Sequence, residues 1–210
     1  MTSDRVASRR SEMPRRSEAV STADRPTKPR RLPGVDGVWV FIGADSAIFA
    51  ILFMSFMKDR LTAPGLFEAS SATLNYNLGG LDTLILLTSS WLVALAVQAA
   101  KRGELARSPR FLLGGVLTGC AFVVSKSTEY SEKFVAGITP ATDAFYMWYF
   151  TLTGMHLVHV LVGIGLLTYL WIKGRRKKVN IKETECVASY WHLVDLLWIV
   201  LFPLLYLLPG

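Results

Sequence analysis

The residues best suited to chemistry in this chain sit where chemistry is costly to place. Thr151 to Ile172 contains no Asp, Glu, Lys or Arg, yet it carries His156 and His159, two of only three histidines in 210 residues. Polar side chains inside a hydrocarbon layer face other helices or a cavity, because lipid cannot satisfy them. At i and i+3 on a helix the two imidazoles share a face, with Thr153 one turn earlier and Gly163 one turn later. A second set lies near the C-terminus, where Glu185, Ser189 and His192 follow i, i+4, i+7 and Asp195 extends the same side. At helical rise Asp195 stands about 15 Å deeper than Glu185. A third is Lys126 with Glu129, three apart and able to pair, followed by Tyr130. Asp45 and Asp82 complete the titratable groups in apolar surroundings.

Three kinds of chemistry fit such groups. One haem between the fourth and fifth apolar segments could be held by His192 and either His156 or His159. A haem–copper centre needs more histidines than the chain has, and HxxH converges less well on one metal than the i, i+4 spacing of zinc proteases. A proton or ion pathway could use Asp45, Asp82, Glu129, His156, His159, Glu185, His192 and Asp195, which lie at several depths. Against a carrier stand the lack of an inverted repeat and of paired broken helices. The third possibility is packing, in which these groups lock a helix bundle that holds lipid and docks on a larger membrane enzyme. No phosphate loop, CxxC pair, nucleophile elbow or HExxH is present.

The elements that must position these residues are long and apolar. Of all residues 51% are hydrophobic, and they fall into five blocks: about 37–57, 78–100, 111–130, 144–172 and 186–208. Each matches the roughly 20 residues a membrane-spanning helix needs, and none alternates as barrel strands do. The expected architecture is an all-α membrane protein, a bundle of five transmembrane helices over 34–210. Gly115 and Gly119 form one GxxxG, whose ordinary meaning is close helix packing. Cys120 and Cys186 form no CxxC and read as small buried residues rather than a disulfide.

Residues 1–33 hold Arg, Ser, Pro and Glu with almost no large apolar side chains, which predicts a disordered, basic, uncleaved tail. Lys and Arg sort by side. Nine precede the first block, four lie in Lys101–Arg110 and six in Lys173–Lys182, against two in Lys58–Asn77 and one at Lys133. The positive-inside rule then places the N-terminus in the cytoplasm and, after five crossings, Gly210 on the opposite side. The net charge of +7 is accounted for by topology and anionic headgroups, and calls for no nucleic-acid partner.

Several motifs, in order, resemble one family. Glu185-x4-Tyr190-Trp191-His192-x-Val194-Asp195-x2-Trp198 looks like the signature that closes cytochrome c oxidase subunit III of haem–copper oxidases. His156-Leu-Val-His159-Val-Leu-Val-Gly163 resembles its HxxHVxxG helix, Glu129-Tyr130 its EY pair, and Leu84-Ile-Leu-Leu-Thr-Ser-Ser90 its LLxSS helix. The resemblance covers about residues 34–208. It departs at Asp45, where the family carries a buried Glu, and at Asp82-Thr83, where the family has Asn-Thr. Lys126, Glu129-Tyr-Ser-Glu-Lys133, Gly137-Ile-Thr-Pro140 and Leu32-Pro-Gly-Val-Asp-Gly-Val-Trp-Val-Phe41 look more like the NorE branch, associated with nitric oxide reductase.

The resemblance implies the short, five-helix form of the subunit, with no haem, copper or other metal on this chain and phospholipid in a cleft between helix groups. It implies no catalytic residue. Lipid-binding or buried packing roles are expected for Asp45, Asp82, Lys126, Glu129, Tyr130, His156, His159, Glu185, Trp191, His192 and Asp195. The expected function is that of a non-catalytic accessory subunit in the cytoplasmic membrane of a bacterium. Its partner would be the catalytic haem–copper subunit of a nitric oxide reductase, whose assembly, stability or turnover it would support. The alternatives are subunit III of an oxygen-reducing cytochrome c or quinol oxidase, and an independent proton or ion carrier.

Overall fold

The computed structural model describes residues 36–104 and 106–207. The expected basic tail over 1–33 and the last three residues lie outside them. Among the described residues the fold is six α-helices: α1 (Asp36–Thr62), α2 (Pro64–Ser71), α3 (Tyr76–Lys101), α4 (Ser108–Val135), α5 (Ala144–Arg175) and α6 (Ile181–Phe202). All but α2 are long and apolar enough to cross a membrane, matching the five expected blocks. The helices outrun those blocks because their ends are polar turns that hydropathy does not see. Asn75, Asp143 and Asn180 cap α3, α5 and α6, each accepting backbone N–H bonds in the first turn. Proline opens α2 and α4, where its missing N–H is no loss. The short α2 had no counterpart in the sequence reading, since eight residues between two apolar blocks carry no periodic signal.

Three helices end alike. The residue three past the helix bonds back five residues and the one before it bonds within the last turn: Glu104 to Ala99 with Gly103 to Ala100, Ile138 to Lys133 with Gly137 to Phe134, and Lys178 to Lys173 with Lys177 to Gly174. This ending puts one residue in the left-handed region. Gly103 (φ 74°) and Gly137 (φ 76°) fill it after α3 and α4, but after α5 the residue is Lys177 (φ 56°).

α3, α4, α5 and α6 pack as one group, α3 and α5 each touching both α4 and α6. α6 is its centre: half of its apolar window is buried, against 17% for α1. α1 leans on α5 and α6 from outside. The GxxxG expectation holds, with Gly115 against Val93 of α3 and Gly119 against Trp191 of α6 and Ile164 of α5. Trp191 is fully buried, and a Cβ at Gly163 would stand 2.5 Å from its ring. The indole thus lies in a slot that only two glycines leave open. The cysteines depart from expectation: no disulfide joins them, but Cys120 is exposed and Cys186 only half-buried, on faces the bundle leaves outward.

Candidate functional site: a polar seam through the helix group

Beyond Phe202 the chain meets Pro203, which has no N–H for the α-helical ladder. Residues Pro203–Leu207 widen into a π-turn, which carries Tyr206 back over α4. There Lys126 Nζ donates to Glu129 Oε2 at 2.5 Å and to Tyr206 Oη at 2.9 Å, and lies 3.1 Å from Asp82 Oδ2. Tyr206 Oη in turn donates to Glu129 Oε1 at 2.8 Å. Asp82, Lys126 and Glu129 are all buried. The expected Lys126–Glu129 pair is therefore a four-residue cluster that binds α3, α4 and the end of α6. Lys126 Nζ also stands 4.6 Å from the centre of the Trp198 ring, a cation–π distance.

One layer further in, His156 is fully buried between Phe122 (ring centres 5.6 Å apart) and Trp198 (5.2 Å). Neither of its ring nitrogens has a hydrogen-bond partner among the described residues. Trp198 Nε1 donates to Thr83 Oγ1, and Tyr130 shares a 2.6 Å hydrogen bond with Thr153. Deeper still is Asp195, buried and with neither oxygen hydrogen-bonded among the described residues. His192 Nδ1 then meets Ser90 Oγ at 2.6 Å, and Glu185 pairs with Lys101 at 2.7 Å at the far end. The expected stripe on α6 is real and faces α3.

His159 departs from the expectation of a shared face. Residues i and i+3 differ by about 60° around a helix, enough in a tight bundle to send two rings to different neighbours. His156 points to α4 and α6, whereas His159 points to α1. Its Nε2 lies 3.0 Å from Asp45 Oδ1 and its Nδ1 2.8 Å from the Met155 carbonyl. Carbonyl and carboxylate are both acceptors, so each ring nitrogen faces an acceptor. Asp45 and His159 form the one side-chain ion pair between α1 and the helix group among the described residues. Beside it lies a recess of about 380 Å³ walled by Phe41, Val162, Leu166, Val187 and Tyr190.

Of the eleven residues expected to matter, ten line the seam or the α1 contact, and Trp191 fills the glycine slot. The reading missed the bridging role of Tyr206, for which nothing local points to a lysine eighty positions earlier, and the Ser90–His192 and Thr83–Trp198 links. The three histidines engage Phe122 with Trp198, Asp45 with Met155, and Ser90. They do not converge on a haem. Among the described residues no three His, Cys, Asp or Glu side chains gather as metal ligands.

Comparison with known proteins gives the same direction. The chain is 31% identical over 181 residues to the cytochrome bo(3) ubiquinol oxidase subunit 3 of Pseudomonas aeruginosa, covering 84% of this chain and 85% of that one. It is 30% identical over 177 residues to the quinol oxidase subunit 3 of Bacillus subtilis, covering 82% and 85%. Against the heme-copper oxidase subunit I+III of Aeropyrum pernix the identity is 30% over 179 residues, spanning 81% of this chain but 22% of that longer protein. Residues 33–209 match the family described as cytochrome c oxidase subunit III. This multi-pass membrane chain therefore belongs to the cytochrome c oxidase subunit III family.

Proposed function

We propose that the chain is a non-catalytic subunit III that packs beside the haem- and copper-bearing subunit of an oxygen-reducing quinol or cytochrome c oxidase. The observation that carries this reading is its similarity, across 85% of their lengths, to proteins named as oxidase subunits. The seam supports a structural role. Lys126 is matched against Asp82 and Glu129, and Lys101 against Glu185, and its histidines are occupied by aromatic rings, a carboxylate or a hydroxyl. Buried ionic groups of this kind fix which helix faces meet rather than adding much stability. The apolar recess between α1 and α5 suits an acyl chain of bound phospholipid, with the Asp45–His159 pair setting how far α1 stands off. The partner, in this reading, turns over; this subunit sustains it.

One observation favours a second reading, in which the partner reduces nitric oxide. Asp82 stands where the oxidase-type pattern has Asn, and Lys126 belongs to the stretch resembling the NorE branch. These two departures are ion-paired at 3.1 Å. They are thus one linked change, supporting a branch with its own packing code.

A mild-detergent purification of the complex from native membranes separates the readings. Haem in the eluate with oxygen consumption is the expected result. Haem with nitric oxide consumption and no oxygen consumption would transfer the assignment to nitric oxide reductase. A colourless chain that conducts protons in liposomes would overturn both in favour of a carrier.

A further inference from the structure

Arg175 ends α5, and Lys177 takes the left-handed position that glycine fills at the two similar helix ends. A side chain there is strained relative to glycine. Lys177 lines a recess of about 550 Å³ between the start of α4 and the end of α5. Two more cations, Arg110 and Arg175, line the same recess, and its apolar wall is Pro109, Leu113 and Trp171. Its back is closed by direct contact: a Cβ at Gly174 would come within 2.8 Å of Pro109. Arg175 lies over Trp171 at 5.5 Å. Among the described residues no carboxylate pairs with Arg110, Arg175 or Lys177, and the first turn of α4 holds no acidic side chain. Three like charges and the positive end of a helix therefore share one concave site.

We propose that this recess is a binding site for an anionic phospholipid, separate from the α1 cleft. The phosphate sits against Arg110, Arg175 and Lys177, and the glycerol and first acyl carbons lie on Leu113, Trp171 and Pro109. Guanidinium pairs suit phosphate oxygens through parallel N–H bonds. A Trp and a cluster of bases beside a membrane-spanning helix end suit headgroup depth. The amphipathic wall favours a lipid over a free phosphate, and the sorting of basic residues puts this end in the cytoplasmic leaflet, where anionic lipids reside. The strained Lys177 then has a reason: it aims a cation at the site.

The test is native mass spectrometry of the full chain in mild detergent, titrated separately with phosphatidylglycerol, phosphatidylcholine and inorganic phosphate. One phosphatidylglycerol should be retained in preference to phosphatidylcholine. Arg110→Gln with Lys177→Gln should weaken that retention roughly thirtyfold, about a factor of five per basic side chain at an anionic surface, with melting unchanged. Arg110→Lys with Lys177→Arg should keep most of it. Lys177→Gly should raise the melting temperature while lowering phosphatidylglycerol retention. Equal retention of the two lipids, or full retention by the double Gln variant, would overturn the proposal. Displacement by millimolar inorganic phosphate would overturn it too, reassigning the site to a soluble anion. Lipid in the apolar α1 cleft does not confuse the result, because that cleft has no cation to distinguish the headgroups. Nor does the result depend on which complex the chain joins.

Discussion

Lys126 is the residue on which the seam depends most, because it alone neutralises two buried carboxylates. Replacing it with Met would keep its volume while leaving Asp82 and Glu129 buried, with Tyr206 still donating to Glu129 and nothing to Asp82 among the described residues. Removing one partner of a buried ion pair costs about 3–5 kcal/mol, whereas replacing all partners by uncharged groups is often neutral. Lys126→Met should therefore lower the melting temperature sharply in thermal scans of the purified chain. Adding Asp82→Asn and Glu129→Gln to it should recover most of the loss. If the single and triple variants melt together, the cluster is not an ionic unit. Asp45 is the other lone contact of its kind. Asp45→Ala removes the ion pair that ties α1 to His159 and should speed hydrogen exchange in α1, leaving α3 to α6 unchanged. Uniform acceleration across all helices would instead make Asp45 part of the common core.

Between helices, space decides more than charge. Trp191 occupies the gap between Gly119 and Gly163, and an added methyl at Gly163 would meet its ring at 2.5 Å, so something must move. Gly163→Ala should destabilise by about 1–3 kcal/mol, the usual range for overpacking, and shift the tryptophan emission. A smaller ring, in Gly163→Ala with Trp191→Phe, should relieve part of it; additive losses in the pair would refute the slot. At this scale the sequence was informative in some places and silent in others, for physical reasons. Five apolar runs mark five spans because hydrocarbon requires them. The starts of α4 and α6 were missed, since Ser108–Arg110 opens on a proline and Ile181–Glu185 on the Asn180 cap, neither of which hydropathy registers. The α6 stripe at 185, 189, 192 and 195 was legible because it lies along one helix. The clusters it joins were not, because Ser90, Lys101 and Tyr206 reach their partners across 77 to 102 positions of chain, which no local pattern spans. His156 and His159 misled for the opposite reason, since local spacing suggested a common target that tertiary packing divides.

At the scale of the whole chain the polar ties and the basic residues agree on two distinct ends. At one, Ser70 bonds Asp143, Thr73 bonds Tyr146 and Lys133 reaches the Thr73 carbonyl, gathering α2 with the α4–α5 loop. At the other, Lys101 meets Glu185 and Lys173 meets Glu183, gathering the α3–α4 loop with the α5–α6 turn. The second end holds ten Lys and Arg in Lys101–Arg110 and Lys173–Lys182; the first holds Lys58, Arg60 and Lys133. Positive loops are retained in the cytoplasm, so reporter fusions should read accordingly. Alkaline phosphatase joined after Gly210 or within Thr139–Thr142 should be active, and joined within Arg176–Lys178 inactive, with green fluorescent protein giving the reverse. The opposite pattern would invert the molecule and move the basic recess to the outer leaflet, where anionic lipid is scarcer. Neutralising the α5–α6 turn, with Arg175, Arg176, Lys177 and Lys178 all changed to Gln, leaves Lys173 and Lys182 on that turn and should therefore blur the pattern without reversing it. A full reversal from that variant would show that this turn alone, and not the sum of the basic loops, sets the orientation.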